Sequence, residues 1–258
     1  MTVPGHFFPS EPMTTASPSV LRRVRTALRH LPRSGLAIAA FLLLAMGGCG
    51  GDASEEDSGP PPNPLLQPHR FNEEAPEAFR VRLETTQGVV VIQVNRAWAP
   101  LGADRFYNLV RAGFYDGMRI HRVMEGFIAE FGIHGDPWVN AGWRQAILVD
   151  DPVLESNTRG RVSFSKSGPN SRTVQVFINT DDNRSLDAEG FAPFGEVREG
   201  MEVVEAFYAE YGDGPPRGNG VYQAMAIARG EEYFEEEFPL LDRIERALLE
   251  VAGESDGG

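Results

Sequence analysis

A chain of 258 residues with 41% hydrophobic and 10% aromatic residues carries enough apolar side chains for one large core or two small ones, and is no disordered tail. Its formal charge of −13 argues against nucleic acid as a partner, because a phosphate-binding surface needs basic residues to spare. Lys166 is the only lysine, so nearly all the positive charge is arginine.

Arg22, Arg23, Arg25, Arg29 and Arg33 precede the apolar run GLAIAAFLLLAMGG, which stops at Cys49, the only cysteine. Basic region, short apolar region and small residues, in that order, make a secretory signal peptide. The run is shorter than the roughly 20 residues that a membrane span needs. A solitary cysteine closing such a segment resembles the bacterial lipoprotein signal, usually Leu, a small residue, Gly or Ala, then the Cys that receives the lipid. Here Met46 stands where that pattern has Leu. The resemblance implies that residues 1–48 are a signal peptide, with Met13 as a second candidate start, and that Cys49 is lipidated. The location it implies is the bacterial cell envelope, facing the periplasm, with the lipid in the outer membrane because no Asp follows Cys49. Losing residues 1–48 removes five arginines against one glutamate, Glu11, and leaves a chain four charges more acidic than the −13 of the whole.

Residues 49–76, including DASEEDSGPPPNP, hold too little apolar surface to offset ordering entropy and read as a flexible tether. FRVRLETT and GVVVIQVN alternate around Gln87-Gly88 and predict a β-hairpin. APLGADRFYNLVRAGF changes to helical spacing, with Pro100 near the start and Gly113 as the stop. MRIHRV, GFIAEFGI, GRVSFSK, TVQVFINT, APFGEV and YQAMAIA read as further strands, and GMEVVEAFYAEYG as a second helix through Val204, Phe207, Tyr208 and Tyr211. Eight short strands with two well-separated helices predict a mainly β fold, a closed eight-stranded antiparallel barrel capped by two α-helices. EEYFEEEF reads as a solvated face or acidic loop, and the stripe Leu241, Ile244, Leu248 and Val251 as a C-terminal amphipathic helix. The folded region is therefore 77–230, with 231–258 as an extension.

Four motifs in order, NLVRAGFYDG, RIHRVMEGFIAEFG, FSKSGPNSRTVQVFIN and LDAEGFAPFGEVREGMEVVE, resemble the cyclophilin family of peptidyl-prolyl cis-trans isomerases. The turn FGIHGDP and the tail EEYFEEEFPLLDRIERALL are similar to a bacterial branch of that family. The resemblance implies that the chain accelerates rotation of Xaa–Pro bonds in exported or envelope proteins and so assists folding, without cofactor or metal. Its partners would be proline-containing polypeptides, and the membrane through the lipid at Cys49. The alternative from another class is a catalytically weak, cyclophilin-like peptide-binding or chaperone module.

By that resemblance the catalytic residue is Arg122. An Xaa–Pro bond resists rotation with a barrier of about 18–20 kcal/mol, and a donor that meets the pyramidal prolyl nitrogen of the twisted state lowers it. A guanidinium suits the task because it is permanently charged, planar and forked. The proline seat maps onto Phe127, Ile128, Phe177, Leu186 and Phe191. Gln175 would hold the peptide or orient the arginine, the Ser165-Lys166 main chain would add an edge, and Glu130 stands where the family usually has glutamine. Taken alone, these phenylalanines are ordinary core residues; their order around Arg122 makes them pocket candidates. Ser185 replaces a rim tryptophan common in the family, which implies weak cyclosporin binding. His121 and His134 lack companions at ligand spacing, so no metal site is expected, and Ser163, Ser165 and Ser167 lack a nucleophile elbow.

Overall fold

The first alternating segments pair as expected: β1 (Ala78–Thr85) and β2 (Gly88–Asn95) run antiparallel along their whole length. The computed structural model describes residues 63–250, so the signal peptide, Cys49, the tether up to residue 62 and the tail from 251 lie outside the described residues. Residues 63–76, assigned to the tether, are part of the folded unit. They make two 3₁₀ turns, Pro64–Leu66 and Pro68–Arg70. Leu65 is buried, its carbonyl accepts from Trp143 Nε1 at 3.0 Å, and Ala75 N–H donates to Asp104 at 2.8 Å.

Helix α1 (Pro100–Arg111) buries Phe106, Leu109 and Val110 against the sheet. It closes as its sequence foretells: Phe114 N–H reaches back to the Leu109 carbonyl at 2.9 Å and Gly113 N–H to Val110 at 3.0 Å. Its start is unusual, because Ala99 at the cap position has no acceptor. Asp151 supplies one from far along the chain, accepting from Leu101 N–H at 3.0 Å and Gly102 N–H at 2.9 Å.

The remaining strands are β3 (Ile120–Met124), β4 (Ile128–Phe131), β5 (Arg161–Phe164), β6 (Val176–Asn179), β7 (Pro193–Glu199) and β8 (Ile244–Glu250). Together with the hairpin they form one eight-stranded antiparallel sheet in the order β3-β4-β6-β5-β7-β2-β1-β8, curled over the core. That order is linear rather than a ring of paired strands, which differs from the expected closed barrel. The two edges approach at one bridge, Arg119 with Arg243, where Ile120 N–H meets the Asp242 carbonyl and Ile244 N–H the Met118 carbonyl, both at 2.8 Å.

Seven expected strands form; the eighth lies elsewhere. YQAMAIA is helical, as α5 (Gln223–Arg229), since alanine and methionine favour helix and fit the sheet poorly. The stretch expected to be the C-terminal helix is instead β8, an edge strand paired with β1. A bulge places Glu245 as an extra residue, so the buried positions Ile244 and Ala247 fall three apart and imitate a helical stripe. EEYFEEEF is helix α6 (Glu231–Glu237) and not a loop: Tyr233 and Phe234 are buried, while Glu232, Glu235, Glu236 and Glu237 make the solvated face. The helix expected over 200–212 ends early, as α4 (Met201–Glu205). Tyr208 N–H leaves the helical pattern to donate to buried Asp242 at 2.7 Å. Short helices α2 (Pro137–Trp143) and α3 (Ser185–Ala188) complete the elements. A second small core of Ile133, Val221, Ala226, Phe234, Phe238 and Leu241 holds α5 and α6 to one end of the sheet.

Candidate active site

Strand alternation decides which side chains leave the core. On β4, Ala129 and Phe131 enter the main core while Ile128 and Glu130 point the other way; on β6, Val176 and Ile178 enter it and Phe177 does not. The register aligns Arg122 with Glu130, Glu130 with Phe177, and Phe177 with Ser163, a row across four strands. His121 is the extra residue of a bulge in β3, which re-aims the strand at Arg122. The end of β4 can lie against Gln175 only because residue 132 is glycine: its φ is +125°, and a Cβ there would stand 2.4 Å from the Gln175 Cα.

A groove of about 840 Å³ runs over this face. Arg122, Phe127, Ile128, Glu130, Ser165, Lys166, Gln175, Phe177, Leu186 and Phe191, the residues singled out from the sequence, all line it. Ile128, Phe177 and Leu186 form a separate buried cluster, with Phe127 and Phe191 packed against it. Phe191 meets Phe177 edge to face, with ring centroids 5.7 Å apart. The walls of this seat are fixed from behind: Asn183 Nδ2 donates to the Phe127 carbonyl at 2.7 Å and Asn157 Nδ2 to the Phe191 carbonyl at 2.8 Å.

Arg122 stands beside the seat, its guanidinium 5.9 Å from the Phe127 ring centre and its side chain 14% exposed. Its Nη1 donates to Glu130 Oε2 at 3.1 Å and its Nε to Asp213 Oδ1 at 2.8 Å. Burial alone would lower the arginine's pKa, but the two carboxylates outweigh it and raise it, so the group keeps its charge. Burial works to raise the Asp213 pKa, and Arg122 together with Arg217 holds it below the usual carboxylate range.

The polar expectations are met unevenly. Gln175 makes no hydrogen bond to Arg122, whose partners are both carboxylates. The Ser165 N–H is committed to the Gln175 carbonyl at 2.9 Å, which removes that donor from the edge expected for a peptide. Lys166 pairs with Asp150 at 2.9 Å and lies 5.3 Å from the Phe191 ring centre. Ser185 is exposed at the first position of α3, one residue before Leu186. Neither histidine stands in a group arranged to hold a metal among the described residues. His134 Nδ1 accepts from Asp136 N–H at 2.9 Å, and His121 is fully buried with both ring nitrogens unpartnered. Burial, with help from Arg122 and against the pull of Glu130, pushes the His121 pKa down to about 4.

Asp213 was not foreseen. It lies in YGDGPPRGNG, where no period reaches, and the useful signal is the length of the stretch between α4 and α5, longer than an ordinary connection. Arg144, Ile147, Arg217 and Tyr222 also line the groove without having been singled out.

Residues 80–228 match the family model described as cyclophilin type peptidyl-prolyl cis-trans isomerase/CLD. A peptidyl-prolyl cis-trans isomerase of Acinetobacter baylyi is 33% identical over 130 residues, 48% of this chain and 69% of that protein. Isomerase cyp18 of Streptomyces antibioticus is 33% identical over 138 residues, 49% of this chain and 81% of its own, and isomerase B of Escherichia coli is 32% identical over 133 residues, 48% and 81%. The crystal structure of a cyclophilin type isomerase of Cryptosporidium parvum is 19% identical at a TM-score of 0.48, covering 67% of this chain and 98% of that one. With the family model covering more than half its length, and relatives of that name matched over most of theirs, the chain belongs to the cyclophilin type peptidyl-prolyl cis-trans isomerases.

Proposed function

We propose that the chain isomerises Xaa–Pro bonds of exported or envelope polypeptides with Arg122 as its catalytic residue. Phe127, Ile128, Phe177, Leu186 and Phe191 seat the proline ring, and Gln175 contacts the peptide on the side that rotates. Left alone, such a bond turns over in tens to hundreds of seconds. The apolar seat holds the ring in the ground and twisted states alike, whereas the charged donor meets only the twisted bond and so raises turnover rather than affinity. One charge-assisted hydrogen bond formed there is worth about 1.5–3 kcal/mol, or roughly one to two decades of rate. Exclusion of water and placement of the peptide supply the remainder.

The observation that carries the reading is the meeting of a charged, anchored guanidinium with a five-residue apolar seat in one groove. Exchange spectroscopy by NMR on a short Ala-Pro peptide, with the purified full chain added, tests it. Enzyme-dependent cis-trans exchange that disappears in Phe177→Ala is the expected result. Binding without added exchange would favour the peptide-binding alternative.

The location is also a proposal, supported by the order of arginines, apolar run and Cys49 alone: a lipid on Cys49 holds the domain at the outer membrane, facing the periplasm. Cys49→Ser should then release the protein to the soluble fraction, and a wild-type protein that takes up no labelled fatty acid would sink the idea. The bridge at Arg119 and Arg243 supports a sheet whose edges meet in solution, the closed form of the fold, and slow exchange of the Ile120 and Ile244 amides would bear on it.

A further inference from the structure

The segment 206–222 joins α4 to α5 and carries one wall of the groove, through Asp213, Pro215, Arg217, Val221 and Tyr222. It is held at both ends by the second core. Val221 is buried there, and Tyr211 packs edge to face on Phe238 with ring centres 5.0 Å apart. Its tip is clasped around Asp213: the Gly220 N–H donates to the Asp213 carbonyl at 2.9 Å and the Gly214 N–H to Asp213 Oδ1 at 3.0 Å. Residue 218 must be glycine for this, since a Cβ there would lie 2.2 Å from the Asp213 carbonyl oxygen. Helix α6, which shares the second core with this segment, is tied to the residue just before β3, because Arg119 donates to Glu231 at 2.9 and 2.6 Å.

Neutralising a half-buried arginine takes one carboxylate, and Glu130 already stands opposite Arg122 in the register. A single bond at Nη1 leaves the guanidinium free to swing about that contact. A second bond at Nε, to an acceptor anchored 91 residues away, fixes its plane. Among the described residues these two bonds use two of the five guanidinium N–H groups and leave three for a ligand. The extra negative charge would weaken the arginine's attraction for a carbonyl. Arg217 answers it by pairing with Asp213 Oδ2 at 2.9 Å from a position 75% exposed.

We propose that Asp213 is a positioning residue for Arg122, and that segment 206–222, carried by the C-terminal helices, is built to deliver it. The proposal rests on the reading of Arg122 as the catalytic residue. It predicts a loss in turnover without a matching loss in binding.

The test uses full-chain Asp213→Ala and Asp213→Asn with a proline peptide, reading by NMR the on-enzyme exchange rate, the peptide Kd and the hydrogen exchange of the Arg122 Nε–H. In the alanine variant the rate should fall about tenfold, within what a misplaced catalytic group costs, while Kd moves less than about twofold and the Nε–H loses protection. Asparagine keeps an oxygen for Nε and should restore most of the rate. An unchanged rate, a loss carried wholly by Kd, or an asparagine variant as slow as alanine would overturn the proposal. Should alanine unfold the protein, Asp213→Glu displaces the acceptor by one methylene and is read in the same way. If the wild type shows no exchange at all, the isomerase reading fails; Nε–H protection then still reports whether Asp213 holds Arg122, and its persistence in the alanine variant would overturn the positioning role.

Discussion

Glu130 lies directly opposite Arg122 in the β3–β4 ladder, and its side chain, 5% exposed, accepts from the guanidinium at 3.1 Å. The carboxylate is therefore turned into the site and not toward solvent. It helps by fixing the arginine's direction, and hinders by occupying a donor and repelling carbonyl oxygens of a bound peptide.

In a partly desolvated groove the hindrance wins, because charge repulsion is weakly screened there. Glu130→Gln keeps an oxygen acceptor, loses the charge, and should raise kcat/KM several-fold, a factor of five being about 1 kcal/mol. Steady-state turnover of a proline peptide checks this. An equal or lower efficiency would show that the pair's orienting effect dominates.

Removing Arg122 outright would strand the buried Glu130 carboxylate and leave Asp213 only the exposed Arg217, a loss of about 3–5 kcal/mol in stability on top of any loss in rate. Arg122→Lys separates the two effects: an ammonium keeps the charge but lacks the planar fork. Isomerisation should fall at least about tenfold, with a much smaller shift in the urea midpoint than Arg122→Ala. A lysine variant of near-wild-type turnover would mean that charge alone suffices.

His121 should make the fold sensitive to mild acid. Its folded pKa is pushed down to about 4 by burial, whereas an unfolded imidazole titrates near 6.5. Between those values the unfolded chain binds a proton that the folded chain refuses, so stability rises with pH across the window and is lost as pH falls through it. The loss is on the order of 3 kcal/mol by pH 4. Asp213, with its pKa below the usual carboxylate range, adds a further loss only in stronger acid. Urea unfolding from pH 7 to pH 4 should show the slope in the wild type and a flatter one in His121→Leu; equal slopes would remove His121 as the cause.

Asp151 and Arg172 are each 2% exposed at the side chain and pair at 3.0 Å. Because the same carboxylate also caps α1, Asp151→Ala leaves the buried Arg172 with Asp150, 3.4 Å away, as its one remaining carboxylate and strands two helix-terminal N–H groups at once. A destabilisation of about 3–5 kcal/mol is expected, read from the urea midpoint at constant slope. A change under about 1 kcal/mol would mean that solvent reaches this pair.

The period-two alternation in GFIAEF and TVQVFIN separates Ile128, Glu130 and Phe177 from Ala129, Phe131 and Ile178, though it was the family resemblance that marked the first set as a groove. That information is local, since successive strand side chains point to opposite faces whatever the rest of the chain does. The helix α1 was equally legible, its start and stop being written in Pro100 and Gly113. Family resemblance placed Arg122 and the apolar seat in one site, and the register brings them together.

What surrounds Arg122 was decided by the tertiary structure. Asp213 reaches the guanidinium from 91 residues away, out of a glycine-rich stretch whose course depends on a second core that no single segment encodes. The exchange of roles between YQAMAIA and IERALLE has the same origin. Their intrinsic preferences are weak over seven residues, and pairing with the open edge of β1 was available to only one of them. Local patterns decide the face a side chain takes; which distant element stands opposite that face depends on how the whole chain closes its core.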